Sequence, residues 1–298
     1  MSFDIITILG PTATGKTSIA SQLAHDFNCE IISADSRQVY KWMDIGAGKD
    51  LAEFQKYNIK YHLVDMITPF EEYNLFRYTK DFQVAYSEIN KNQKLPILVG
   101  GTGLYLSAIL QSYDLPVINN EADAELSTLT FGQLKKILIR LKPKLHNITD
   151  IRDKGRMIQA ILIERSRNKS KSTLPQLTSL NIGINTDRDN LKRHISERLK
   201  FRLENGMIEE VKNLMSKGVT KEKLIYFGLE YKFISQFIDG KLNYNDMFQK
   251  LNSAIQNFAK RQMTWFRKIE REGVQINWFT PNDYPAIKNF VKAQLEFD

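Results

Sequence analysis

The stretch Gly10-Pro11-Thr12-Ala13-Thr14-Gly15-Lys16-Thr17 sets two glycines, an ammonium and a hydroxyl directly behind the apolar run Ile5, Ile6, Ile8, Leu9. Glycines at that spacing let backbone amides turn inward around phosphate oxygens, and a following helix adds its positive N-terminal end. Lys16 would supply a point charge for the outer phosphate and Thr17 a hydroxyl for magnesium. Such a loop usually holds a nucleoside triphosphate; the pattern predicts a pyrophosphate grip and leaves the reaction open.

Three further groups fall where they could share that crevice. "SADSRQVY" (33–40) carries Asp35, which reads either as a general base or magnesium partner, or as a turn or helix cap. Asp65, closing "HLVD", reads as a magnesium-holding acid or as a turn residue. Gly100, Gly101, Thr102 and Gly103 suit close approach of backbone to a ligand, with Thr102 free to hydrogen-bond. Over 189–205, Leu191, Ile195, Leu199 and Leu203 form a buried stripe, with His194, Arg198 and Arg202 along one edge. Those arginines either swing toward the crevice or form a solvated basic edge, and His194 reads as a packed or surface histidine.

Positioning these groups requires an alternation of strands and helices. The pattern predicts strands over 5–9, 30–33, 61–64 and 96–99, with helices over 16–27 and 75–90, the latter capped by Asn74. That order makes an α/β fold, a parallel sheet with helices on both faces and ligands beyond the carboxyl ends of its strands. Residues 115–150 turn polar and then basic, "FGQLKKILIRLKPKL", and read as a helical insertion. A helix over 153–167, an exposed loop "NKSKST", a strand in "SLNIGINTD" and helices over 189–205, 208–217, 226–239 and 244–271 follow. A strand "VQINWF" and a helix from Tyr284 close the chain.

The bulk numbers fit a cytoplasmic globular protein. Among 298 residues, 42% are apolar and 26% charged, and no run approaches the ~20 apolar residues of a membrane span. The N-terminus reads as a buried strand and not a signal peptide, and the single cysteine, Cys29, as a core residue. A net charge of +8 favours a polyanionic partner such as nucleic acid.

Taken together, "GPTATGKT", "ISADSRQVYKWMDIGAGK", "YHLVDMITPFEEYN", "PILVGGTGLYLSAIL", "ENGMIEEVKNLMSKGV" and "FAKRQMTWFR" resemble the tRNA dimethylallyltransferases, the delta-2-isopentenylpyrophosphate transferases, from about Ile5 to Arg267. The resemblance implies a P-loop NTPase-like core (1–114 and 151–298) with a helical C-terminal part, and an insertion (115–150) contacting the tRNA anticodon stem. It implies prenyl transfer from dimethylallyl diphosphate to the exocyclic amine of the adenosine adjacent to the anticodon, by a monomer using Mg2+. The phosphate loop would then hold the diphosphate through Gly10, Pro11, Thr12, Ala13, Thr14, Gly15, Lys16 and Thr17, with the metal at Thr17 and Arg198 as clamp. Asp35 matches the general base and Thr102 the threonine near amine and diphosphate. Asp35, Ser36, Arg37, Gln38, Thr102 and Arg156 would meet the RNA, whose target base must be extruded to be reached.

The chain also departs from the family pattern. Ser127 and Gln159 stand where arginines are usual, as do Gln256 and Asn257, and Leu229 and Glu230 replace an aromatic and a cation. A transferase acting on a free adenine nucleotide, or an RNA-binding paralogue, is the alternative these changes suggest. Lys135, Lys136, Arg140, Lys142 and Lys144 predict steeply salt-dependent RNA binding through the insertion.

Overall fold

The computed structural model describes residues 3–113, 125–141, 154–166 and 174–296, apart from the side chains of Arg156, Gln159, Ile163 and Ser166. The chain forms two compact units, Met1–Gln111 with Gln176–Asp298, and Ser112–Pro175.

In the larger unit six parallel strands run in the order β3-β2-β4-β1-β5-β6. They are β1 (Ile5–Leu9), β2 (Glu30–Ser33), β3 (Tyr61–His62), β4 (Pro96–Gly100), β5 (Ser179–Ile184) and β6 (Asn277–Phe279). Every residue of β1 is buried, as a central strand covered on both faces must be. Its register pairs Ile6 with Ile97 of β4 and with Leu180 of β5. Helix α1 (Lys16–Asp26) lays Ile19, Ala20, Leu23 and Ala24 on one face of the sheet, where they join Ile8, Ile31, Ile97 and Ile182.

Helix α2 (Leu51–Lys56) precedes β3, and α3 (Leu75–Lys91) begins at the expected cap, where the Asn74 side chain accepts from the Arg77 amide at 3.0 Å. Strand β3 is shorter than anticipated because Leu63 and Asp65 take positive φ (62° and 56°), which ends the extended conformation. Helix α4 (Gly103–Leu110) went unread since its sequence is apolar nearly throughout, with no polar stripe to show a period.

In the smaller unit α5 (Phe131–Leu141) and α6 (Lys154–Ser166) share a core of Leu126, Leu134, Leu138, Met157, Ile158, Ile161 and Leu162. The unit spans Ser112–Pro175, wider than the expected 115–150, because the apolar positions of α6 close this core. Lys135, Lys136 and Arg140 are exposed on α5; Lys142, Lys144 and "NKSKST" lie outside the described residues.

The larger unit resumes with α7 (Arg188–Glu204), capped by Asp187, and α8 (Met207–Ser216). The helix expected over 226–239 is instead two, α9 (Lys221–Phe227) and α10 (Leu229–Ile238), parted at Gly228, whose φ of 120° no helix accommodates. Helix α11 (Tyr244–Arg271) and α12 (Tyr284–Glu296) complete the unit. No helix among the described residues is long and apolar enough to cross a membrane.

Candidate active site

A cavity of about 350 Å³ opens beyond the carboxyl ends of β1, β2 and β4. Thr12 to Thr17 from the loop after β1, Asp35 to Gln38 from the turn after β2, and Gly100 to Thr102 from the end of β4 line it, facing Arg198 and Arg202 of α7. Residues far apart in sequence thus meet because parallel strands end together.

The loop bends by taking Ala13 and Gly15 to positive φ (63° and 73°), the kind of turn that cradles an anion. From behind, the Pro11 carbonyl accepts from Thr14 Oγ1 at 2.8 Å and from Lys16 Nζ at 2.6 Å. Gly10 and Pro11, expected against the diphosphate, do not line the cavity. Gly10 backs onto the Ile184 carbonyl, where a Cβ would collide, and Pro11 serves as the strut of the loop.

Asp35 is held by its own turn, Oδ1 accepting from the Arg37 amide at 2.8 Å. Thr102 Oγ1 accepts from the Ser36 amide at 3.1 Å, fixing the two strand ends to one another. Arg37 donates to the Tyr226 carbonyl at 2.7 Å. Gln38 is pinned between Ser33 Oγ, from which its Oε1 accepts at 2.8 Å, and the Gly48 carbonyl, to which its Nε2 donates at 3.1 Å.

The opposite wall is cationic. Arg198 donates to Thr12 Oγ1 at 3.2 Å, and both arginine guanidinium groups pack onto Gly48, where any Cβ would strike them. The reading of these arginines as a solvated edge is therefore replaced; His194 lines, with Phe201 and Asn205, an open groove on the outer side of the same arginines, which both hollows share. Neither guanidinium forms an ion pair with a described carboxylate. Burial, and then Arg198, lowers Arg202 to about 10. Glu230, at the start of α10, lines the same cavity, and burial raises its carboxyl while Arg202 works against the rise.

Burial, then Arg198, brings Lys16 down to about 7, with Asp35 and Asp50 opposing. The ligand-free ammonium is thus only partly protonated near neutrality, whereas a bound anion favours the charged form. The tighter binding of inorganic diphosphate by wild type over Lys16→Met is expected to shrink as pH rises through about 7. Calorimetric titrations of both proteins test this; an advantage independent of pH between about 6 and 9 would show that the ammonium stays charged without the anion, and no advantage at any pH would remove Lys16 from the anion site.

Several positioning residues escaped sequence reasoning. Gln262 of α11 donates to the Gly101 carbonyl at 2.9 Å and accepts from the Thr12 amide at 2.9 Å, tying two loops together. Lys49, its side chain wholly buried, donates to the Tyr40 carbonyl and to Asp44 at 2.7 Å and to Asp65 at 2.5 Å. That bond occupies Asp65 away from the cavity and leaves it the turn role.

Glu210 of α8 accepts from the amides of Asp44 (2.7 Å), Ile45 (2.7 Å) and Gly46 (3.0 Å) and from the Tyr231 hydroxyl (3.0 Å). Glu210→Ala orphans four donors, so denaturant unfolding is expected to show a loss of about 2–4 kcal/mol, and a loss below about 1 kcal/mol would contradict this account. Its signal in the sequence was the "GMIEEV" block, which names no partner. Arg156 lies in α6 of the smaller unit, its side chain outside the described residues.

Comparison with known proteins agrees with this architecture. The IPP transferase family model matches residues 38–269 and the isopentenyl transferase model residues 3–67. A tRNA dimethylallyltransferase 1 from Geotalea uraniireducens is 46% identical, over 96% of this chain and 95% of that protein. A tRNA dimethylallyltransferase 2 from Bacteroides fragilis is 46% identical, over 99% and 98%. The crystal structure of the full-length tRNA isopentenylpyrophosphate transferase from Bacillus halodurans superposes with a TM-score of 0.73 at 29% identity, covering 99% of this chain and 97% of that one. By these matches the chain belongs to the IPP transferase family.

Proposed function

We propose that this chain transfers a dimethylallyl group from dimethylallyl diphosphate to the exocyclic amine of the adenosine beside the tRNA anticodon. The observation that carries the reading is the union, in one cavity, of an anion-binding loop with Lys16 and Arg198 and a carboxylate, Asp35, beside Thr102. Relatives over nearly the whole chain carry the name tRNA dimethylallyltransferase.

In this scheme the amine nitrogen attacks C1 of the allylic chain. The N–C1 bond forms as the C1–O bond breaks, diphosphate leaves with the electron pair, and Asp35 takes the amine proton. Lys16, Arg198 and the loop amides of residues 13–17 would meet the charge that develops on the leaving group, which is where fixed dipoles and cations accelerate most. The loop and Thr102 hold the two reactants in line.

A magnesium ion fits the residues present. The Thr17 hydroxyl lines the cavity with no protein partner among the described residues, and Mg2+ is commonly held by one or two protein oxygens plus substrate phosphates. When bound it would neutralise diphosphate charge. A monomer in the cytoplasm completes the proposal.

The test incubates the purified chain with dimethylallyl diphosphate, Mg2+ and an anticodon stem-loop, followed by nucleoside mass spectrometry. Prenylated adenosine in the RNA is the expected product. Prenylated AMP with unmodified RNA would establish a free-nucleotide transferase instead, and RNA binding without turnover a binding protein.

A further inference from the structure

Between the cavity mouth and the far side of the turn that follows Tyr40, exposed aromatic rings alternate with cations. Arg37, which lines the cavity, lies 5.0 Å over the ring of Tyr226, and Lys223 lies 5.4 Å from the centre of the same ring. Lys223 Nζ also donates to the Glu71 carbonyl at 3.1 Å, next to Phe70, whose ring meets Trp42 edge-on at 6.5 Å between centroids. Lys217 then lies 4.9 Å over Trp42. The three rings are 51%, 55% and 41% exposed for Tyr226, Phe70 and Trp42, far more than ordinary packing of such side chains leaves open.

Trp42 also has a φ of 67°, a conformation that a bulky L residue adopts at a cost and that clusters at functional positions. Its backbone is over-determined: the Lys41 amide donates to the Ile67 carbonyl at 2.8 Å, and Glu210 binds the amides of Asp44 and Ile45 two and three residues on. The fold therefore holds an indole out in solvent at some conformational cost.

We propose that Trp42, Phe70 and Tyr226, with Arg37, Lys217 and Lys223, form a stacking strip for unpaired RNA nucleotides that flank the extruded target base. Aromatic faces interleaved with cations suit a single strand, whose bases stack on rings while its phosphates meet ammonium and guanidinium groups. A paired stem offers phosphates without free base faces, and an acidic protein segment offers carboxylates without rings, so unpaired RNA is the occupant both halves of the pattern match. The strip is continuous with the cavity through Arg37 and Phe227, whose ring lies 5.8 Å from that of Tyr226. The inference rests on the RNA substrate proposed above. It also places an RNA contact on the larger unit, where Gln256 and Asn257 carry no charge.

The test measures binding of the full chain to a fluorescein-labelled anticodon stem-loop and to a fully paired duplex of the same length. Trp42→Ala and Tyr226→Ala are each expected to weaken stem-loop binding roughly 5- to 100-fold, with duplex binding changed less than about threefold. Trp42→Phe, which keeps a π face, is expected to stay within about threefold of wild type. Unfolding midpoints and inorganic diphosphate binding serve as integrity controls. Stem-loop affinities of both alanine variants equal to wild type, or equal losses for loop and duplex, would overturn the strip. If wild type prenylates the stem-loop in that case, only the strip falls; if wild type neither binds nor modifies it, the RNA reading falls with it.

Discussion

Asp35→Asn is expected to lower the single-turnover rate on the stem-loop by roughly 10²- to 10⁴-fold, the usual contribution of a positioned general base. The asparagine retains an oxygen that can accept from the Arg37 amide, now bonded to Asp35 Oδ1 at 2.8 Å, so the turn after β2 should survive the exchange. What disappears is the capacity to take a proton. Binding of inorganic diphosphate should remain within about threefold of wild type, since the carboxylate faces the loop's cations without being an anion ligand. A rate within tenfold of wild type would move the proton acceptor elsewhere, and Glu230, in the same cavity wall, would become the next carboxylate to test.

Much of this site was legible because its parts sit at strand ends. β1, β2 and β4 announce themselves as short apolar runs, and the residues that follow them must share a crevice in any parallel sheet. The loop at 10–17, Asp35 and Thr102 were placed on that logic. Arg198 could be put on an edge of its helix but not aimed, because period alone does not say what an edge faces. Gln262, Glu210 and Lys49 were invisible for a stronger reason. Gln262 and Glu210 act through backbone groups of distant loops, as when Glu210 binds three successive amides in 44–46, and Lys49 gathers a carbonyl and two carboxylates from turns on either side of it; no local pattern encodes such partners.

The helix break at Gly228 matters for the same reason. Reading 226–239 as one helix would carry Leu229 and Glu230 past the cavity on a continuous face. The break lets α10 restart there, and both residues enter the wall. The cation that the family pattern places near position 230 is absent, yet Arg202 lines the same cavity from α7. The positive charge of this wall has therefore a different source from the one the motif suggested.

That arrangement sets the last expectation. Arg198→Gln should reduce kcat/KM for dimethylallyl diphosphate by roughly 10²- to 10³-fold, as removal of a preorganised donor at a developing oxyanion does. Arg198 already touches the anion loop through Thr12 Oγ1 at 3.2 Å, and it forms no ion pair with a described carboxylate. Arg202→Gln should cost less, about tenfold, because Glu230 offsets part of its charge and its guanidinium lies one helical turn farther along α7. The two should not add: Arg198 depresses Arg202 by like-charge repulsion, so removing one eases the burial of the other and softens each single loss, and the double variant should lose more than the product of the single losses. Arg198→Lys should recover only part of the activity, since an ammonium lacks the planar fork that can span two oxygens of a diphosphate. Calorimetry with inorganic diphosphate separates binding from chemistry across the set. Wild-type affinity for diphosphate in Arg198→Gln, together with wild-type kcat/KM, would show that the guanidinium serves the loop's shape and not the leaving group.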